Sequence, residues 1–141
     1  MTSATANRAR RLVEHLLDWQ GTWFVARLAL CSAYILGGVV KLGDFPAAVA
    51  EQAHFGMPLP AVFAAATIAV ELVGPILILS DRLAWLGAGM LGVFTLLAAL
   101  VANAFWTLQG PERFAATNAF FEHFGLVGGF MLVAMVSRRR A

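Results

Sequence analysis

Four apolar stretches, each about as long as a bilayer is thick, constrain this chain more than any other feature. They run from about 23 to 43, 60 to 79, 83 to 106 and 118 to 136. A spanning helix needs about 20 apolar residues, and inside hydrocarbon every backbone N–H and C=O must be satisfied within the segment or its barrel. Runs of this length and spacing predict an all-α fold, an integral membrane four-helix bundle. Composition agrees: 60% of the residues are hydrophobic and only 13% charged, against roughly 25% charged in a soluble domain. Mean hydropathy is +0.77. So few charges cannot coat a soluble globule. The balance excludes a disordered chain, a basic-faced nucleic-acid binder and almost any soluble enzyme.

The connecting segments set the expected boundaries. Residues 1–7 are small and polar and are read as a disordered N-terminus. Over 8–20, Leu12, Val13, Leu16, Leu17 and Trp19 alternate at helical spacing with Arg8, Arg10, Arg11, Glu14, His15 and Asp18. That pattern predicts an amphipathic helix lying in the bilayer interface. The first apolar run starts too far along and runs too long for a cleaved signal segment, so it is read as a retained span. Asp44-Phe45-Pro46 ends it, and 46–58 reads as a loop with a short amphipathic helix near Ala47–His54, closed by Gly56-Met57-Pro58. Ser80-Asp81-Arg82 reads as a tight turn, and 107–117 as a loop marked by Gly110-Pro111-Glu112-Arg113. The transmembrane domain then covers 23–136, and 137–141 forms a basic tail.

Arginine placement orients the spans. Both termini and the 80–82 turn fall on one side, which carries Arg8, Arg10, Arg11, Arg82 and Arg138–Arg140. The other side has only Lys41 and Arg113 near its loops. The positive-inside bias places both termini in the cytoplasm and the 44–59 and 107–117 segments outside.

Charged groups at membrane depth cost roughly 2.5–3.5 kcal/mol each on insertion scales, so they need partners and often mark function. Here they are Arg27, Lys41, Glu71, Glu122 and His123, with Asn103 and Asn118 beside them. Arg27, Tyr34, Gly38 and Lys41 share one stripe of the first span, and Asn118, Glu122, Gly125 and Gly129 share one stripe of the last. Asn103 and Trp106 are neighbours at the end of the third. At 1.5 Å per residue, Glu122 and His123 lie about 10 Å below the outer boundary and Glu71 about 16 Å below it. Most polar groups therefore gather in the outer half. Lys41 leans inward and Glu71 outward, because side chains tilt toward their helix N-termini. Glu71 is expected to pair with Lys41 or Arg27. Both cations could alternatively snorkel, and the pair could be purely structural. The single cysteine, Cys31, reads as buried packing. No metal-ligand set is present, and no metal site is expected.

These residues carry a resemblance. Arg27 followed by Gly38-Val39-Val40-Lys41, then Gly56-Met57-Pro58, Glu71-Leu72-Val73-Gly74-Pro75, Asn103-Ala104-Phe105-Trp106, and Glu122-His123 with Gly128-Gly129, resemble in order and spacing the DoxX family of small four-helix bacterial membrane proteins. Pro75 stands where the family has glycine, Asn103 where it has histidine and Glu122 where it has lysine. The resemblance implies membrane redox chemistry, one branch being similar to a subunit of a thiosulfate:quinone oxidoreductase.

Two readings follow. In the first, the chain is a quinone-interacting component of a membrane oxidoreductase. Glu71, Lys41 and His123 then do acid–base work, and Arg27, Tyr34, Gly38, Asn103, Trp106 and Glu122 line the binding site. The expected partners are lipid, a quinone or other small apolar ligand, a redox protein that supplies electrons, and a second copy of the chain. In the second reading the chain is a non-enzymatic scaffold or assembly factor held together by its ion pairs.

Overall fold

The computed structural model describes residues 3–140, with side chains described for 7–138. Its helices are α1 Ser3–Asp18, α2 Gln20–Gly43, α3 Phe45–His54, α4 Pro60–Leu79, α5 Ala84–Ala102 and α6 Gly110–Arg140, with a 3-10 turn at Phe105–Thr107 between the last two. Four of these helices, α2, α4, α5 and α6, are long and apolar enough to cross a membrane. The fold is all-α, and the molecule is a multi-pass membrane protein.

Several boundaries depart from the sequence-based expectation. The segment read as disordered is helical from Ser3 onward, and residues 1 and 2 of it lie outside the described residues. Alanine and arginine between Ala4 and Arg11 are strong helix formers, which accounts for the early start. The 107–117 loop is mostly helix. Gly110 adopts φ +61°, Pro111 opens α6 and Glu112 places an acid in its first turn. Proline at the first helical position and an acid beside it are start signals, so the turn signature there begins a helix. At the other end α6 continues through the basic tail to Arg140. The third span stops at Ala102, with Asn103 as its C-cap, so Trp106 lies in the 3-10 turn and not on α5.

Packing runs in a ring. α2 lies on α4, α4 on α5 and α5 on α6, and the ring closes at a thin α2–α6 seam. Helices in lipid gain little from burying apolar surface against one another, so close backbone approach at small residues does much of the work. Gly87 is one such place: a Cβ there would sit 2.6 Å from the carbonyl oxygen of Gly74, so α4 and α5 meet backbone to backbone. The α2–α6 seam rests on Leu30 against Gly129 and on the edge-to-face pair Tyr34–Phe130, centroids 5.4 Å apart. The inner cluster is Cys31, Tyr34, Ile78, Leu91, Phe130 and Val133. Large apolar side chains such as Leu36, Val40, Ile76, Val93, Leu97 and Leu132 point outward, as a lipid solvent requires.

α3 is not part of the ring. Asp44 caps it by accepting from the Ala47 N–H at 3.0 Å, and Pro46 sits in its first turn. Ala48 on α3 packs on Ala64 and Ile68 of α4. This seat holds α3 over the first turns of α4, one turn above Glu71.

Candidate functional site

Glu71 is the centre of the site. It lies mid-way along α4, and its side chain is 8% exposed. Lys41, near the end of α2, reaches it with Nζ 3.1 Å from Oε1 and 3.2 Å from Oε2. A bidentate contact of this length is a charge-assisted hydrogen-bonded pair. The tilt of each side chain toward its own helix N-terminus brings two residues at different positions along antiparallel helices to one level. Pro75, four residues on, has no N–H to give the carbonyl of Glu71, so the same turn of α4 is loosened at its backbone.

Two glycines make room for the pair. A Cβ on Gly38 would sit 2.7 Å from Leu72 Cδ2 and 3.2 Å from the Glu71 Cβ, so Gly38 sets how closely α2 meets α4. A Cβ on Gly37 would sit 3.3 Å from Glu71 Oε2 and 3.5 Å from Lys41 Nζ. The carboxylate therefore faces bare backbone on that side. A third charge joins from α3: Glu51 Oε2 lies 4.0 Å from Lys41 Nζ.

Arg27 belongs to a different centre. Its side chain is 2% exposed, and it forms a two-pronged ion pair with Asp81 in the α4–α5 turn. Its Nη1 also donates to the Ile78 carbonyl at 2.6 Å, and the guanidinium lies 4.9 Å from the Trp23 ring centroid. Asp81 holds φ +63°, a left-handed conformation that aspartate tolerates better than most residues. Arg27 thus ties α2 to the α4–α5 turn at the end of the bundle that carries the termini, away from Glu71.

Tyr34 lies between the two centres and faces inward. Its hydroxyl is 2.6 Å from Thr95 Oγ1, and Thr95 donates to the Leu91 carbonyl at 2.6 Å. With that proton committed, Tyr34 is the donor of the pair. Its oxygen is satisfied within the core.

The remaining candidates do not gather at the pair. The His123 Nδ1 is 2.7 Å from the Ala119 carbonyl one turn back on its own helix. Trp106 stacks edge-on with Phe105 and Phe120, centroids 5.2 and 5.9 Å away, and is half exposed. Phe120 is therefore level with the turn beyond α5, and Glu122 and His123 follow within one turn of α6. The stripe Asn118, Glu122, Gly125 and Gly129 faces largely away from the bundle. The first three are exposed, and only Gly129 meets a neighbour. At this end α6 packs through Phe120 on Phe105 and Trp106 of the 3-10 turn. Among the described residues, no hydrogen bond or ion pair links Asn103, Trp106, Glu122 or His123 to Lys41 or Glu71. No group of three or more His, Cys, Asp or Glu among the described residues could hold a metal.

Sequence reasoning missed Asp81, Glu51, Gly37 and Thr95. Asp81 had a readable signal: it is the acid in the turn at the same end as Arg27, within reach of a long side chain that tilts toward it. Glu51 had none, because its position depends on how α3 folds back onto α4.

The DoxX family model matches residues 22–104, a stretch that contains Arg27, Lys41, Glu51, Glu71 and Asp81 and stops short of Trp106, Glu122 and His123. The chain is similar to the inner membrane protein YphA of Escherichia coli (strain K12), 25% identical over 111 residues that cover 79% of each chain. No solved structure matches it significantly. A family match over more than half of the chain, in a four-span bundle, shows that the chain belongs to the DoxX family.

Proposed function

We propose that this chain is an inner-membrane protein that binds a quinone beside the Lys41–Glu71 pair and acts as the quinone-interacting component of a membrane oxidoreductase system. The observation that carries the reading is a bidentate ammonium–carboxylate pair whose carboxylate is buried mid-way along an apolar helix, close against Gly37 of α2. A quinone headgroup needs an apolar slot, a donor for a carbonyl oxygen and a group that can hold a proton. Lys41 is the donor and Glu71 holds the proton. The bound quinone supplies the electron-carrying chemistry. Electrons reach it from a redox partner protein, since the chain's single cysteine is sealed in the core. The arginine asymmetry supports cytoplasmic termini, and the likeness to an inner membrane protein supports that membrane.

Mild-detergent purification followed by mass spectrometry of co-extracted lipids tests this directly. The wild type should retain a quinone, and Glu71→Gln and Lys41→Met should each lose most of it while remaining folded. A wild type with no more quinone than an unrelated four-span control defeats the reading.

One observation favours a scaffold instead. Among the described residues, no buried side-chain polar atom lacks a hydrogen-bond partner, so both ion pairs are closed without a ligand. On that reading Glu71→Gln lowers thermal stability and partner retention together.

A further inference from the structure

Three charges line up from water to the interior at the end of the bundle that carries α3. Glu51 is 46% exposed, Lys41 19% and Glu71 8%. Beyond Glu71 the gradient stops. Tyr34, Thr95, Leu91, Ile78 and Phe130 are buried, and the Tyr34 and Thr95 hydroxyls are committed to each other and to the Leu91 carbonyl. Between Glu71 and Arg27 along α2 the titratable groups among the described residues are Tyr34 and Cys31, both buried away from water, and the donors of Arg27 are held by Asp81, Ile78 and Trp23. The groups facing Lys41 are Glu71 from α4 and Glu51 from α3.

We propose that Glu51 is the proton-exchange residue of the Lys41–Glu71 site, so that a proton at Glu71 leaves to, or arrives from, water at the α3 end of the bundle only. Lys41 Nζ is hydrogen-bonded to Glu71 and 4.0 Å from Glu51 Oε2. One rotamer change of the half-exposed Glu51, or one bridging water, closes that gap. The ammonium passes a proton to the Glu51 carboxylate and takes the Glu71 proton in its place. Glu51 then ionises into water. The net change is one proton moved from Glu71 to solvent, with Lys41 and Glu51 returned to their starting forms and no electron transferred. The seat of α3 on α4, through Ala48, Ala64 and Ile68, is what brings Glu51 to Lys41. Glu51 pairs with Lys41 and not with Glu71, so it is a positioning and relay residue, not a catalytic one.

The proposal rests on the reading that this pair handles a proton, and it is tested without quinone. The protein is reconstituted in vesicles, and time-resolved infrared spectroscopy follows the protonated-carboxyl band that Glu71→Gln removes. After an acid jump on the α3 side to a pH that protonates Glu71 fully in both proteins, Glu51→Gln should slow the appearance of that band at least tenfold and leave its final amplitude unchanged. Glu51→Asp should recover part of the rate. A jump on the opposite side alone should give no fast phase in the wild type. Equal rates in wild type and Glu51→Gln, a fast response from the terminal side, or no band lost in Glu71→Gln would each overturn the relay. Quinone retention is measured separately, so failure of quinone binding and failure of the relay give different results.

Discussion

Gly37 and Gly38 are adjacent on α2 yet govern different contacts. A methyl on Gly38 meets Leu72 at 2.7 Å. Gly38→Ala should therefore push α4 away and lower stability by about 1–3 kcal/mol, the usual cost of overpacking, read as a lower melting temperature in detergent. A methyl on Gly37 first meets the far ends of Glu71 and Lys41, at 3.3 and 3.5 Å. Gly37→Ala should melt close to wild type yet retain several-fold less quinone, and unchanged retention would mean the slot is elsewhere. Arg27 and Asp81 make a second contrast. Arg27 holds three groups from inside the bundle, while the Asp81 side chain is 66% exposed. Arg27→Ala strands the Ile78 carbonyl and empties the space against Trp23. Asp81→Asn keeps a side chain that suits φ +63° and removes only one partner of the guanidinium. Thermal melts should rank Arg27→Ala well below Asp81→Asn, because a lost buried partner costs more than a lost solvated one.

At the scale of elements, α1 and α6 share one feature: each carries more exposed surface than the ring uses. α1 is exposed from Asn7 to Asp18, with Leu12, Val13, Leu16 and Leu17 on one arc and the charged residues on the other. It joins α2 through an elbow at Trp19, where the Thr22 hydroxyl donates to the Leu16 carbonyl at 2.6 Å. No bundle residue covers the apolar arc, so a bilayer surface is its expected cover. Spin labels at Leu16 and Glu14 should report lipid at the first and water at the second; equal accessibility would place α1 in solution. α6 is long enough to project beyond α5, and its Phe114 and Phe121 are exposed, as is Trp106 in the turn before it. Glu122 lies on that exposed face. Glu122→Gln should change stability by no more than about 0.5 kcal/mol, the range for surface substitutions away from any partner.

For the whole molecule, the arginine asymmetry makes orientation testable. Reporter fusions at residues 50 and 112 should signal the exterior, and those at 81 and the C-terminus the cytoplasm. A cytoplasmic signal at 112 would break the four-span arrangement. How much was legible beforehand follows from the range of the forces involved. The four spans, the all-α class and the need of Glu71 for a cationic partner were determined by the sequence alone, because hydrocarbon penalises unpaired backbone and charge whatever the tertiary packing. Helical period and tilt narrowed that partner to Lys41 or Arg27. They could not choose between them, since both lie on one stripe of α2. The tertiary structure decided it by bringing the α4–α5 turn under Arg27, so that Asp81 took the guanidinium and Lys41 was left to Glu71. It also decided what joins the site and what stays out. Glu51 arrives because α3 folds back onto Ala64 and Ile68, while Glu122 and His123 stay away because α6 packs on α5 by a face that leaves the expected stripe outside. Such choices depend on which helix lies beside which and how each is rotated. Close contacts at single small residues, Gly38 on Leu72 and Gly87 on Gly74, set these, and periodicity along one helix carries no record of the partner's shape.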